Sequence, residues 1–209
     1  MLLAAPIRTV LSCAAGALAA TALAAGPALA APAPAAPAAG CPAGPIVHPF
    51  AAWQDVADYV LAPDGDVEAG AAGWALTGGA RAVEGNQTVR AAGAGEHISL
   101  ALPAGSSATT APMCIGVEHK TMRFVASGGR SAELTVQSLY HDAAGRERML
   151  PVGSVHGGDG WALTPILPLR ASARAADFGD ALDVTLRFIP RGPGAWRIDD
   201  VYVDPYRSR

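Results

Sequence analysis

Residues 181–190 read Ala-Leu-Asp-Val-Thr-Leu-Arg-Phe-Ile-Pro. Leu182, Val184, Leu186 and Phe188 fall on one side of an extended chain, with Asp183, Thr185, Arg187 and Ile189 on the other. Successive side chains of a strand point to opposite faces, so a period of two marks a strand with one buried face. A helix would instead repeat its apolar residues three and four apart. Residues 133–141 show the same pattern, with Leu134, Val136, Ser138 and Tyr140 against Thr135, Gln137, Leu139 and His141. Over residues 122–126, Met122 and Phe124 oppose Arg123. The partly polar face of each strand is either solvated surface or one wall of a binding cleft.

Similar short runs lie at 59–62, 80–84, 97–102, 108–117, 148–155, 162–165 and 196–204. Gly78-Gly79, Gly128-Gly129, Gly157-Gly158 and Gly192-Pro193-Gly194 separate several of them, as turn residues do. About ten short strands at this spacing predict a β-sandwich or barrel. Helical stretches are confined to 50–59 and 171–178, each good for about one turn. Parallel crossovers need a dozen or more residues, so an α/β fold is excluded.

The chain begins differently. Met1 to Arg8 carries one positive charge, residues 9–25 are apolar and rich in Ala and Leu, and Ala28-Leu29-Ala30 supplies small residues before Ala31. This three-part pattern predicts a secretory signal peptide over residues 1–30. Gly26-Pro27 interrupts an apolar run that is short for a membrane span of about 20 residues, so no membrane insertion of the mature chain is expected. Residues 31–45 carry five prolines among alanines and read as an extended spacer, followed by one domain over 46–209.

The whole chain has a net charge of −3, and Arg8 is the only charge in the first 30 residues, so the mature chain carries −3 − 1 = −4. No basic cluster is present, which argues against nucleic acid as a partner. Cys41 and Cys114 remain after cleavage. An exported chain meets an oxidising compartment, which predicts a disulfide between them. Buried free thiols or a metal site are the alternatives, although two isolated cysteines without paired histidines are poor zinc spacing.

Two segments at opposite ends of the domain carry a resemblance. Gly65-Asp66-Val67-Glu68-Ala69-Gly70-Ala71-Ala72-Gly73-Trp74 and Trp196-Arg197-Ile198-Asp199-Asp200-Val201-Tyr202-Val203 resemble the opening and closing stretches of jelly-roll carbohydrate-binding modules of the galactose-binding-like group. The region from about residue 59 to 206 is also similar to exported domains of GC-rich Gram-positive bacteria. The resemblance implies an all-β fold, a two-sheet antiparallel jelly-roll sandwich whose first and last strands meet. It implies a structural calcium near that meeting point, held by Asp66, Glu68 and one of Asp199 and Asp200. Asp200 is favoured because strand alternation puts it on the buried face with Trp196 and Ile198. The ligand it implies is an extracellular or cell-wall glycan, on the concave sheet or loop rim, with Arg123, Gln137, His141, Arg187 and Trp161 as candidate contacts. The expected state is a secreted monomer.

Catalytic patterns are missing from the sequence. It contains no GxSxG elbow, HExxH or phosphate loop, and its histidines at 48, 97, 119, 141 and 156 are scattered. The expected function is therefore non-catalytic glycan binding. A structural or protein-interaction sandwich is the second reading, and a jelly-roll hydrolase or lyase the third.

Overall fold

Among the described residues, thirteen strands form two antiparallel sheets: β1 (Val60–Leu61), β2 (Ala75–Thr77), β3 (Arg81–Glu84), β4 (Ile98–Leu102), β5 (Ser107–Thr109), β6 (Met113–Gly116), β7 (Thr121–Gly128), β8 (Glu133–His141), β9 (Glu147–His156), β10 (Ala162–Leu163), β11 (Leu167–Pro168), β12 (Ala181–Arg191) and β13 (Trp196–Asp204). The computed structural model describes residues 40–42, 44–158 and 160–205. The expected signal peptide and spacer residues 31–39 lie outside them. A seven-stranded sheet runs β10-β7-β13-β4-β3, with β1 joining β13 and β11 joining β7. A six-stranded sheet runs β2-β5-β12-β8-β9, with β6 joining β12. The alternating runs predict a sandwich or barrel, and the structure is the two-sheet antiparallel sandwich that the jelly-roll resemblance implies.

The two inner faces share one core. Leu134, Val136, Leu182, Val184, Leu186 and Phe188 come from the six-stranded sheet, and Leu100, Leu102, Met122, Phe124, Trp196 and Ile198 from the other. Phe124 and Phe188 meet edge to face across the gap, with centroids 5.3 Å apart. Trp74 stacks on Phe188 at 6.0 Å, and its indole N–H donates to the Pro63 carbonyl at 2.8 Å.

The opening and closing segments lie side by side. Val60 pairs with Val203 and Leu61 with Tyr202. Ala62 N–H donates to the Val201 carbonyl, and Val201 N–H to the Gly65 carbonyl, both at 2.9 Å. Gly65 is packed so tightly here that an added Cβ would sit 2.5 Å from the Val201 oxygen. Gly65→Ala is therefore expected to cost about 1–3 kcal/mol, a fall in Tm of about 2–12 °C by thermal melt. An unchanged melt would mean that this junction yields freely.

Some boundaries differ from those read in the sequence. The run at 108–117 splits into β5 and β6, because Pro112 has no N–H for the ladder. Strands β2 and β11 carry too few residues to show a period. Residues 50–59 contain only a 3-10 turn over Ala51–Trp53. Residues 171–178 form one α-turn, Ser172–Ala175, and a second 3-10 turn, Ala176–Phe178. β9 ends its sheet, carries Pro151, and shifts register against β8 between Val136 and Gln137. Among the described residues, no helix is long and apolar enough to cross a membrane.

Candidate functional site

The outer faces of the two sheets differ. The seven-stranded sheet is covered by the segment leading into β1. Phe50, Tyr59, Val125 and Tyr202 form a second apolar cluster there, flanked by Trp53, Leu61, Trp161 and Leu163. Arg123 is committed to this cover. Its guanidinium donates to the Thr164 carbonyl, pairs with Asp55 at 2.5 Å, and lies 6.0 Å from the Phe50 ring centroid. Burial works to raise the Asp55 pKa, but the Tyr59 hydroxyl, the Ala57 amide and Arg123 together hold it below the usual value. Trp161 is half-buried on the same side, with Arg197 5.7 Å from its ring centroid. Neither Arg123 nor Trp161 therefore shares a cleft with the other candidate glycan contacts.

Among the described residues no apolar cluster covers the outer face of the six-stranded sheet, where Arg187, Gln137 and Ile189 are half-buried and Leu139 is buried. Register brings Thr109, Arg187, Gln137 and Pro151 into one row across β5, β12, β8 and β9. The next row holds Thr185, Leu139 and Met149, and the row on the other side Ile189, Thr135 and Ser154. Arg187 Nε donates to Thr109 Oγ1 at 3.3 Å, which steers the guanidinium along the row. His141 ends β8 opposite Glu147 and is exposed. Beyond it, Asp142 ties the β8–β9 turn by accepting from the Ala144 and Arg146 amides and the Arg148 guanidinium. Those bonds, led by the Arg146 amide, hold its pKa at about 2. Arg187, Gln137 and His141 are thus brought to one face. Among the described residues, no tryptophan or tyrosine lies on it.

A carboxylate cluster sits where the chain ends meet. β13 slips register between Asp199 and Tyr202 against β7, and Asp200 takes φ +56°. That bulge breaks the alternation expected at this point. Asp199 and Asp200 are consequently both fully buried, rather than Asp200 alone. Gln87 donates its amide to Asp200 at 2.9 Å and to Glu96 at 3.4 Å. Glu96 is itself buried. Burial, then the Asp200 charge, lifts the Asp199 pKa to about 9. Burial also raises Glu96, with Asp200 adding to it, and raises Asp200 against the opposing Gln87 bond. Asp66 is half-buried and raised by burial and by Asp64.

Glu68 spends one oxygen on the His97 and Ile98 amides, at 2.6 and 2.8 Å, and the other faces the His97 ring at 3.0 Å. It anchors β4 more than it faces the cluster. Asp200 Oδ1, Glu96 Oε1 and Asp199 Oδ2 are buried without hydrogen-bond partners. Three orphaned carboxylate oxygens are the hard donors that calcium takes, so the donor set fits calcium in kind, although among the described residues these atoms do not converge within 4.8 Å as a group. Glu96 and Gln87 did not stand out in the sequence, because Glu96 only follows the glycine-rich stretch 93–95 and Gln87 sits in an irregular loop. A cleft of about 690 Å³, lined by Glu84, Asn86, Gln87, Arg90, Glu96 and His97, opens beside the cluster.

At a third place, Cys41 and Cys114 form the disulfide, with Cα atoms 5.5 Å apart. It lines a cavity of about 430 Å³ together with Ile46, Val60, Met113, Glu118 and His119. Burial lowers the His119 pKa, and the Glu118 charge works against that shift.

No family model and no curated protein matches the chain. Among solved structures, it is similar to the C-terminal family 22 carbohydrate-binding module of Clostridium thermocellum Xyn10B, at 18% identity and TM-score 0.42, covering 67% of this chain and 90% of that one. It is similar to the family 11 carbohydrate-binding module of Clostridium thermocellum, at 13% identity and TM-score 0.42, covering 69% and 95%. A tandem of family 22 modules from Paenibacillus barcinonensis Xyn10C gives 13% identity and TM-score 0.47, covering 73% and 46%. These are likenesses of fold. The site assignments rest on this chain's own residues.

Proposed function

We propose that the chain acts outside the cell as a non-catalytic sandwich that holds an extracellular or cell-wall glycan on the outer face of its six-stranded sheet. The observation that carries this reading is the contrast between the two outer faces: one closed by the second apolar cluster, the other open with Arg187 and Gln137 in register at its centre. A sugar offers hydroxyls to a guanidinium and an amide, and its C–H faces suit the exposed Met149 and Pro151 and the half-buried Ile189 around them. The start of the sequence supports export, and so does the disulfide, because such bonds persist in oxidising compartments.

The same reading includes a structural calcium. Asp66, Glu96, Asp199 and Asp200 would hold it, and its charge would offset the burial that disfavours their ionised forms. Glu68 supports the site by fixing the start of β4.

The test is retention on insoluble xylan, β-glucan and bacterial cell-wall preparations. Joint Arg187→Ala and Gln137→Ala substitution is expected to weaken retention by at least about tenfold, since two hydrogen-bonding groups are lost. Retention that survives the double substitution overturns this location for the site. That no tryptophan or tyrosine among the described residues lies on the open face favours the second reading, a protein-interaction sandwich. Retention on none of the three polymers selects it.

A further inference from the structure

The disulfide corner carries chemistry that glycan binding does not use. Cys41 Sγ, a Glu118 carboxylate oxygen and a His119 ring nitrogen lie within 4.8 Å of one another. Cys114 Sγ is bonded to Cys41 and so lies beside this group. β6 delivers Cys114, and the turn between β6 and β7 delivers Glu118 and His119, closed by the His119 N–H bond to the Gly116 carbonyl at 3.1 Å. The Glu118 carboxylate folds over Gly116, where an added Cβ would lie 2.3 Å from its Oε2. The His119 side chain is only 8% exposed.

The contacts at His119 Nδ1 conflict. The Gly116 N–H donates to it at 3.0 Å, which requires a lone pair. Glu118 Oε1 lies 3.1 Å from the same nitrogen, which requires a proton there. A cation on that lone pair would satisfy the carboxylate without a ring proton, and the Gly116 N–H would give up its bond to the ring.

We propose that, once a dithiol reductant has opened the disulfide, Cys41, Cys114, Glu118 and His119 bind one Zn²⁺ ion. The dithiol supplies two electrons and two protons. The Cys41–Cys114 bond breaks into two thiols, and the reductant leaves as its own disulfide. Zn²⁺ then displaces both thiol protons to solvent and forms two Zn–S bonds, with the imidazole and carboxylate completing four ligands. Zinc takes sulfur at about 2.3 Å and nitrogen or oxygen at about 2.0–2.2 Å, so tetrahedral ligand atoms sit about 3.3–3.8 Å apart. Three of the four ligand atoms already lie within 4.8 Å of one another, so the two sulfurs part and Cys114 Sγ swings in while ring and carboxylate draw together. The metal would then replace one cross-link between residue 41 and β6 with another.

The test uses the whole chain, reduced with a dithiol that is then removed by anaerobic desalting, beside the oxidised chain, both in saturating calcium. Zinc content is read by native mass spectrometry. The reduced chain is expected to take one Zn²⁺ beyond whatever the oxidised chain takes, and to recover Tm when zinc is added. His119→Gln and Glu118→Gln are each expected to weaken that zinc binding by about tenfold or more, with the oxidised melt unchanged. Protection of Cys41 and Cys114 from iodoacetamide by zinc reads the same site even in a variant that melts early. Equal zinc uptake by oxidised and reduced chains, or wild-type affinity in either variant, overturns the proposal.

Discussion

Phe188→Ala is expected to lower Tm by about 6–20 °C, from a loss of about 3–5 kcal/mol when a large core ring is truncated. Phe188 is fully buried on β12 and touches both the Trp74 indole and the Phe124 ring. It therefore joins three parts of the molecule: the opening segment, the seven-stranded sheet and the six-stranded sheet. The cavity left behind is bordered by rigid aromatic rings on opposite sheets, which collapse poorly into the space. Val125→Ala, on the outer cluster, removes less surface and is the useful comparison. A fall of less than about 2 °C in Phe188→Ala, on the same thermal scale, would mean that the sheets are not held together through this ring.

Calcium is expected to raise Tm by about 8–16 °C at about 1,000 times its Kd, because binding to the folded state alone then contributes about 4.1 kcal/mol. The effect depends on pH in a definite direction. Asp199 has a folded pKa of about 9 against an ordinary 3.8, so the folded chain without metal prefers the protonated acid. Its contribution is complete below about pH 4 and is lost as pH rises through about 9. Asp66, Glu96 and Asp200 are shifted in the same direction. In chelator, Tm should therefore fall as the buffer is moved from pH 5.5 to 8.5 within that window. In calcium the slope should flatten, because the ion replaces the protons. Asp200→Asn should lose most of the calcium response. A melt that ignores both chelator and calcium at pH 8 would remove the ion from the proposal.

The strands were legible because burial on one side imposes a period of two, as at Leu182, Val184, Leu186 and Phe188, all of which face the core. The closing contact between the glycine-rich opening segment and β13 was legible as well, through the resemblance carried by Gly65, Trp74 and Trp196. The period does not say which sheet a strand joins. Arg123 and Arg187 both alternate outward, yet one lies under the cover formed around Phe50 and the other on open surface. Trp161 was likewise a loop residue in sequence, and only the fold shows what it rests against. The bulge at Asp200 was invisible for another reason. Its left-handed backbone lies next to Val201, which packs against Gly65 from far away in the chain. Glu96 lay beyond reach because nothing nearby in sequence explains why an acid should be buried beside glycines.

β9 has a consequence for behaviour at high concentration. An exposed terminal strand offers unpaired amides on which another molecule could lay a strand of its own and begin a fibril. Here Pro151 has no amide hydrogen to lend, and the slipped register beside it twists the strand out of a flat line. The margin is thus poorly suited to templating, even though Met149 leaves an oily side chain 51% uncovered close by. Pro151→Val would restore a straight, apolar margin, and concentrated samples of that variant should gel or form thioflavin-positive aggregates sooner than the parent.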